Sequence, residues 1–174
     1  MFRVTRMGYN NLLYALTRTP NRPADVLKVC EEGLKLIPDS GRLNNCLAWL
    51  RAHSPDLKYR DPGEAVQRAK KAVKKEPDNG SYWNTLGTAY YRAGDWEAAA
   101  EALEKAVSLR KGGDSFDFFF QAMSYWKLDR KVAARKEYDR AVQWMQKNLP
   151  NNEELRRFRA EAAELLGIEK KKGK

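Results

Sequence analysis

Amide side chains are the residues of this chain whose type and placement best suit recognition chemistry. Asparagine recurs in comparable surroundings as Asn11, Asn45 and Asn84. An asparagine amide carries both a donor and an acceptor, so a row of them can bond the N–H and C=O groups of an extended peptide whatever its sequence. The alternative is that these amides only bond neighbouring helices. We favour ligand binding, because asparagine is a mediocre helix former.

Residues suited to catalysis or metal binding do not converge in the sequence. His53 is the only histidine, and we expect it to cap a helix or to be exposed rather than to act as a base. Cys30 and Cys46 lack a CxxC spacing and are expected to be buried free thiols. The pair Gly112-Gly113 reads as a turn, not as a phosphate-binding loop. The sequence therefore predicts no catalytic residue, no metal site, no cofactor and no small-molecule substrate.

Paired helices must position the candidate binding residues. Four residues at i, i+3, i+4 and i+7 share one helix face, namely Trp83, Leu86, Gly87 and Tyr90. Gly94-Asp95 then breaks the helix, and Asp95 is suited to cap the next one. That second helix again carries small and apolar residues on one face: Ala99, Leu103 and Ala106. Two antiparallel helices are predicted, with a face left over that must pack against a neighbouring pair.

The spacing in this segment resembles the signature of the tetratricopeptide repeat family, W-x2-L-G-x2-Y followed by A-x3-F, with Leu103 in place of phenylalanine. Weaker copies flank it, at Phe118, Ala122 and Tyr125 downstream and at Asn44 to Ala48 upstream. The resemblance implies an all-α fold, an α-α superhelix (solenoid) of four helix pairs plus a C-terminal capping helix. Similar repeat segments occur in large bacterial multidomain proteins.

A single domain over residues 1–168 is predicted, followed by a basic tail over 169–174. Its repeats and capping helix are expected at 7–40, 41–79, 80–113, 115–148 and 151–166. An apolar stripe on the capping helix would cover the last repeat and leave a polar outer face to solvent. The loop from Ser54 to Asp61 either extends the binding surface or covers a helix end. Either Met1 begins the protein or the chain is the end of a longer polypeptide.

The resemblance also implies where a ligand would bind, because in this family the first helix of each pair lines a concave groove. Projecting the repeat register predicts these groove residues: Asn11, Asn45, Asn84, Trp49, Tyr91, Arg92, Phe119, Met123, Trp126 and Lys127. Aromatic residues and arginine dominate binding hot spots, and the cations favour a ligand with acidic residues or a C-terminal carboxylate. Trp49 and Trp126 are equally well explained as core residues. The predicted function is a non-catalytic interaction module that binds a protein or peptide in the groove.

The net charge of +10 supports an alternative, which is binding of RNA or single-stranded nucleic acid through a basic surface. Five cations lie on one second helix: Arg68, Lys70, Lys71, Lys74 and Lys75. We favour this alternative less, because acids are mixed with these cations and no RNA-binding signature occurs. No apolar run approaches the roughly 18 residues of a membrane span, and no secretory signal is recognisable, so a cytoplasmic protein without a membrane partner is expected.

Overall fold

The protein is described by a computed structural model that covers residues 22–168, so Asn11 and the tail over 169–174 lie outside the described residues. Within that range the fold is all-α, as predicted, with eight α-helices, one 3-10 turn at Leu57–Tyr59 and no strand. The helices are α1 (Pro23–Leu36), α2 (Gly41–His53), α3 (Pro62–Lys75), α4 (Gly80–Ala93), α5 (Trp96–Leu109), α6 (Ser115–Lys127), α7 (Lys131–Asn148) and α8 (Glu153–Leu165).

Polar side chains begin the helices where the sequence indicates. The Asp61 carboxylate accepts a hydrogen bond from the backbone N–H of Glu64 at 2.9 Å, and Asp95 accepts one from Ala98 at 3.2 Å. Each such bond satisfies a backbone donor that the first turn leaves free, which stabilises a helix by about 1 kcal/mol. Gly94 ends α4 in the left-handed region, with φ of +85°, so the chain reverses within one residue.

Small residues set the close approach of α4 and α5. A Cβ atom placed on Gly87 would lie 2.6 Å from the Leu103 Cγ and 3.1 Å from the Ala99 carbonyl oxygen. The two backbones are therefore nearer than any side chain at position 87 would allow. Ala99 and Leu103 are completely buried in this contact. Gly87 therefore lets the paired helices α4 and α5 approach each other closely.

The helices form two layers. Pairs α2–α3, α4–α5 and α6–α7 stack in chain order, and α1 packs against α2 from the preceding position. The first helices α2, α4 and α6 contact one another in a row, while each second helix packs against the first helix that follows it. This is the arrangement of an α-α superhelix, in which one layer lines the inner side and the other the outer side.

Helix α6 is buried nearly all round. Phe118, Phe119 and Phe120 are three consecutive residues that point in different directions, and each is at most 1% exposed. Three neighbouring helices enclose them, since α5, α7 and α8 all pack against α6. An uninterrupted apolar run is what a helix covered on every side requires.

Helix α8 is placed differently from a cap that extends the stack. Its apolar stripe is buried as expected, with Leu155, Phe158 and Ala162 all inaccessible. However, α8 packs more extensively against α6 than against α7, whereas α4 and α6 each pack more extensively against the preceding second helix than against the preceding first helix. Helix α8 therefore covers the last repeat, as expected for a capping helix, but its position within the fold was not anticipated. Helix α8 turns inward, toward the layer of first helices.

Candidate functional site

The first helices converge on α8 from three successive pairs. Side chains of α2, α4 and α6 contact it together, although more than a hundred residues separate Trp49 from Glu154. Three successive first helices can contact one further helix together only if their layer is curved and that helix lies on its concave side. We call this surface the inner face, formed by Trp49, His53, Tyr91, Arg92, Phe116 and Phe120.

A ring of aromatic side chains on the inner face holds one phenylalanine of α8. The Phe158 ring centroid lies 4.9 Å from that of Phe120 and 5.1 Å from that of His53. Trp49 and Phe116 each approach it at 6.3 Å, and all four contacts are edge-to-face. This geometry suits the quadrupoles of aromatic rings, and such pairs add about 0.5–1.5 kcal/mol each beyond area burial. Phe158 is the apolar anchor of the contact.

Charged and polar bonds surround this anchor. The Arg92 guanidinium holds the Glu161 carboxylate with two bonds, of which Nη2 to Oε2 measures 2.7 Å. The Trp49 indole N–H donates to Glu154 at 3.3 Å, and Arg157 donates to the backbone carbonyl of His53 at 2.9 Å. Two-pronged arginine–carboxylate bonding is directional as well as strong. The inner face thus presents a cation and an indole N–H to acidic side chains.

His53 lies inside this contact rather than at an exposed helix end, so the expectation that it is exposed or a helix cap was wrong. Its side chain is 2% exposed, and neither ring nitrogen has a hydrogen-bond partner among the described residues. The Trp49 and His53 rings are stacked at a tilt, with centroids 4.2 Å apart. Burial, and then the charges of Arg92, Arg157 and Arg60, hold the pKa of His53 well below its ordinary value. The ring is therefore neutral while α8 is in place.

Among the described residues, no group of three or more His, Cys, Asp or Glu side chains is arranged to hold a metal ion. Over residues 22–168, every helix is too short or too polar to cross a membrane.

Comparisons with known proteins agree with this architecture. The family described as tetratricopeptide repeat matches residues 57–115. The chain therefore contains tetratricopeptide-type repeat sequence over residues 57–115. A comparison with curated proteins finds no match.

Solved structures share the fold at low sequence identity. The crystal structure of the MamA protein is 15% identical, with a TM-score of 0.60, and the match covers 95% of this chain and 90% of that one. A thermophilic tetratricopeptide protein of Thermus thermophilus is 19% identical, with a TM-score of 0.51 and coverage of 93% and 92%. The first tetratricopeptide domain of human RPAP3 is 19% identical, with a TM-score of 0.50 and coverage of 71% and 94%.

Three predicted groove residues belong to the inner face. Trp49 and Tyr91 are half-buried, and the Arg92 side chain is 15% exposed because α8 lies over it. The Arg92 guanidinium also lies 5.6 Å from the Tyr91 ring centroid, and burial raises the pKa of Tyr91 to about 12. The structure brings these three residues together. Their role toward a ligand stays a prediction.

Other predicted groove residues do not line an open wall, so their projection was wrong. Phe119 and Met123 are completely buried, and Phe119 packs edge-to-face on Tyr138 of α7. Asn84 is 5% exposed, and its amide donates to the Asp117 carboxylate at 2.8 Å. Asn84 therefore bonds a neighbouring helix, which was the alternative to ligand binding for the asparagines. The repeat register does not show that Phe119, Met123 and Asn84 face a neighbouring helix.

The remaining predicted residues are separate from the inner-face cluster. Trp126 and Lys127 lie at the end of α6 and contact the second helices, since the Lys131 ammonium lies 3.9 Å from the Trp126 ring and Lys127 lies 5.6 Å from that of Trp96. Asn45 is half-buried, and its side-chain oxygen has no hydrogen-bond partner among the described residues.

Two sets of residues at this contact were not predicted from the sequence. On the first helices these are Phe116 and Phe120, because aromatic residues of a helix core look the same in a sequence, and His53, which was expected to be exposed or a helix cap. On α8, Phe158 was recognised only as part of a capping stripe. One signal was available there: Glu154, Phe158 and Glu161 stand at i, i+4 and i+7, and thus on one helix face.

Proposed function

We propose that this domain is a non-catalytic interaction module that binds a segment of a partner protein on its inner face. The observation that carries the proposal is that a protein segment, α8, already lies there. It is held by an aromatic anchor, an arginine–carboxylate pair and an indole hydrogen bond. The tetratricopeptide fold is generally a scaffold for protein interaction, which agrees with this use of the surface.

The residue types of the inner face support a protein ligand. Trp49, Tyr91 and Arg92 belong to the three residue types that contribute most to binding hot spots, because they combine large contact area with few rotatable bonds or with directional donors. The Arg92 guanidinium favours a carboxylate, from an acidic side chain or a chain end. An acidic segment is therefore the expected ligand.

Selection of random peptides on the immobilised full chain tests this proposal. The selection uses wild-type protein and the Glu161→Gln variant, in which the carboxylate that holds Arg92 is absent. Peptide affinities are then measured on Arg92→Gln and on the control Lys74→Ala, since Lys74 lies exposed on α3 in the outer layer. We expect affinity to fall about ten-fold or more with Arg92→Gln and to be nearly unchanged with Lys74→Ala.

The opposite ranking would contradict the proposal. If Lys74→Ala weakened binding while Arg92→Gln did not, the ligand would occupy the outer layer. A single-stranded RNA oligonucleotide serves as a parallel probe. Binding that falls steeply with salt and ignores Arg92→Gln would favour the basic outer surface as a nucleic-acid site instead.

A further inference from the structure

Helix α8 occupies a place that the repeats themselves do not dictate. Regular stacking would put a following helix mainly against α7, yet α8 contacts α6 more extensively and reaches α2, two pairs away. The four residues between Asn148 and Glu153 connect it to the stack. This helix therefore lies in the groove rather than at its end.

The groove-facing residues of α8 form one compact recognition pattern. Phe158 is enclosed by the inner-face rings, Glu154 accepts the Trp49 N–H, and Glu161 binds Arg92. Their spacing of i, i+4 and i+7 requires a helix, because an extended segment would turn these side chains to different sides. The inner face thus selects an aromatic residue flanked by two acids on one helical face.

Some buried polar groups lie at the contact between α8 and the inner face. Among the described residues, buried side-chain atoms without a hydrogen-bond partner include both ring nitrogens of His53 and the Nε atoms of Arg92 and Arg157. A buried polar group without a partner opposes the contact that buries it. Water would reach these atoms if α8 left, so the docked position of α8 is opposed by its own surroundings.

From these observations we propose that α8 is an internal occupant of the binding groove, and that the partner is an amphipathic helix. That helix carries an aromatic residue with acidic residues four positions before it and three positions after it. It binds the inner face by taking the place of α8, with its acids on Trp49 and Arg92. This inference rests on the proposed function and gives its ligand a definite chemistry.

A labelled synthetic peptide of residues 151–168 serves as the probe for this competition. It is titrated by fluorescence anisotropy against the full-length wild-type chain and against full-length Glu161→Lys, whose own α8 is repelled by Arg92. We expect the peptide to bind the Glu161→Lys chain about ten-fold or more tightly than wild type. Equal affinity for both chains would overturn the proposal, because α8 would then be a permanent part of the fold.

Matched peptides separate recognition from nonspecific association. A peptide with Phe158→Ala should bind about ten-fold or more weakly, and an Arg92→Glu chain should prefer a peptide that carries Glu161→Lys. Loss of this preference would overturn the assignment of Arg92 to the acidic position. Circular dichroism of each chain checks that α1 to α7 stay folded.

Two further outcomes distinguish the failure of this inference from that of the proposed function. A peptide with Ala160→Pro cannot form the helix, and we expect it not to bind. If it bound as well as the wild-type peptide, and still depended on Arg92, the groove would accept extended segments. The partner-helix inference would then fall while groove binding stood. Dimers of Glu161→Lys in light scattering that exchange α8 would make a second copy the occupant, which also overturns the partner helix.

Discussion

The contact between α4 and α5 and the contact of α8 with the inner face are both helix packings, but they are built from different residues. Gly87 meets Ala99 and Leu103, and at this position the two backbones are too close for any side chain. Around α8, one aromatic anchor is surrounded by carboxylates and arginines. The first contact has the composition of a domain core. The second has the composition of an interface, with an apolar centre and a polar rim.

Truncation of the anchor residue Phe158 should have the largest effect on the α8 contact relative to the contact between α4 and α5. Phe158→Ala should weaken α8 docking by about 3–5 kcal/mol, because a fully buried ring is lost. Hydrogen exchange should then show that amides of α8 lose protection while those of α4 and α5 keep most of theirs. Val132→Ala is the matched control, since Val132 is 86% exposed. Equal loss of protection in α4, α5 and α8 would mean that the two contacts form one cooperative unit.

The contact between α4 and α5 is tested by a substitution at Gly87. Gly87→Ala should lower the free energy of unfolding by about 2–3 kcal/mol, because its Cβ overlaps the Leu103 side chain and a backbone oxygen. Gly63→Ala is the control: position 63 of α3 has room for a methyl group, so stability should rise by up to about 1 kcal/mol. Urea denaturation measures both changes. A neutral Gly87→Ala would refute the close approach of the two helices at this position.

Charge reversal tests how much the ion pair between Arg92 and Glu161 contributes to α8 docking. Arg92→Glu should weaken docking by about 1–2 kcal/mol, a value between those of surface and buried ion pairs because Arg92 and Glu161 are 15% and 33% exposed. Adding Glu161→Arg should restore part of this loss. Exchange rates of α8 amides across the double-mutant cycle give the coupling energy. A coupling near zero would show that the ion pair contributes no stability.

Acid should loosen α8 through His53 before it affects the repeats. The docked state holds the pKa of His53 well below about 6.5, so an undocked chain binds a proton that the docked chain does not. Docking is therefore most stable above about pH 6.5 and should weaken by about 1 kcal/mol as the pH falls from about 7.5 to about 5.5. The protection of α8 amides as a function of pH measures the effect.

The His53→Phe variant provides the control for this pH dependence, since it keeps an aromatic ring but removes the titrating group. Burial raises the pKa of Glu154, so protonation of that carboxyl group favours the docked state and acts in the opposite direction to protonation of His53. Between about pH 7.5 and 5.5 the slope should belong to His53, and it should vanish in His53→Phe. A slope that persists in this variant would assign the effect to another group.

Local patterns in the sequence predicted the repeats well, because each one depends on neighbours in the chain. Asp95 caps α5 as its position after Gly94 indicates, because a helix cap depends only on residues close by in the chain. The groove was predicted less well. Phe119 and Met123 occupy groove positions in the repeat register, yet the partner helix α7 and the neighbouring helices enclose them.

The position of α8 was the main feature that the sequence did not predict. A stripe with Phe158 at its centre suits a helix that ends a stack and equally suits one that enters the groove, because either location buries the same face. The distinction depends on Trp49 and Arg92, which are far away in the chain and become neighbours of α8 only through the curvature of the whole superhelix.

The short connector between α7 and α8 determines how tightly a free partner helix must bind to occupy the groove. Because residues 149–152 keep α8 beside its own site, its effective concentration there is on the order of millimolar or above. A partner helix present at about 1 μM must then bind on the order of a thousand-fold more tightly than α8 to displace it. Weakly acidic helices would therefore not displace α8. The connector therefore sets the minimum affinity that a partner helix needs, and this minimum depends on the length of the connector.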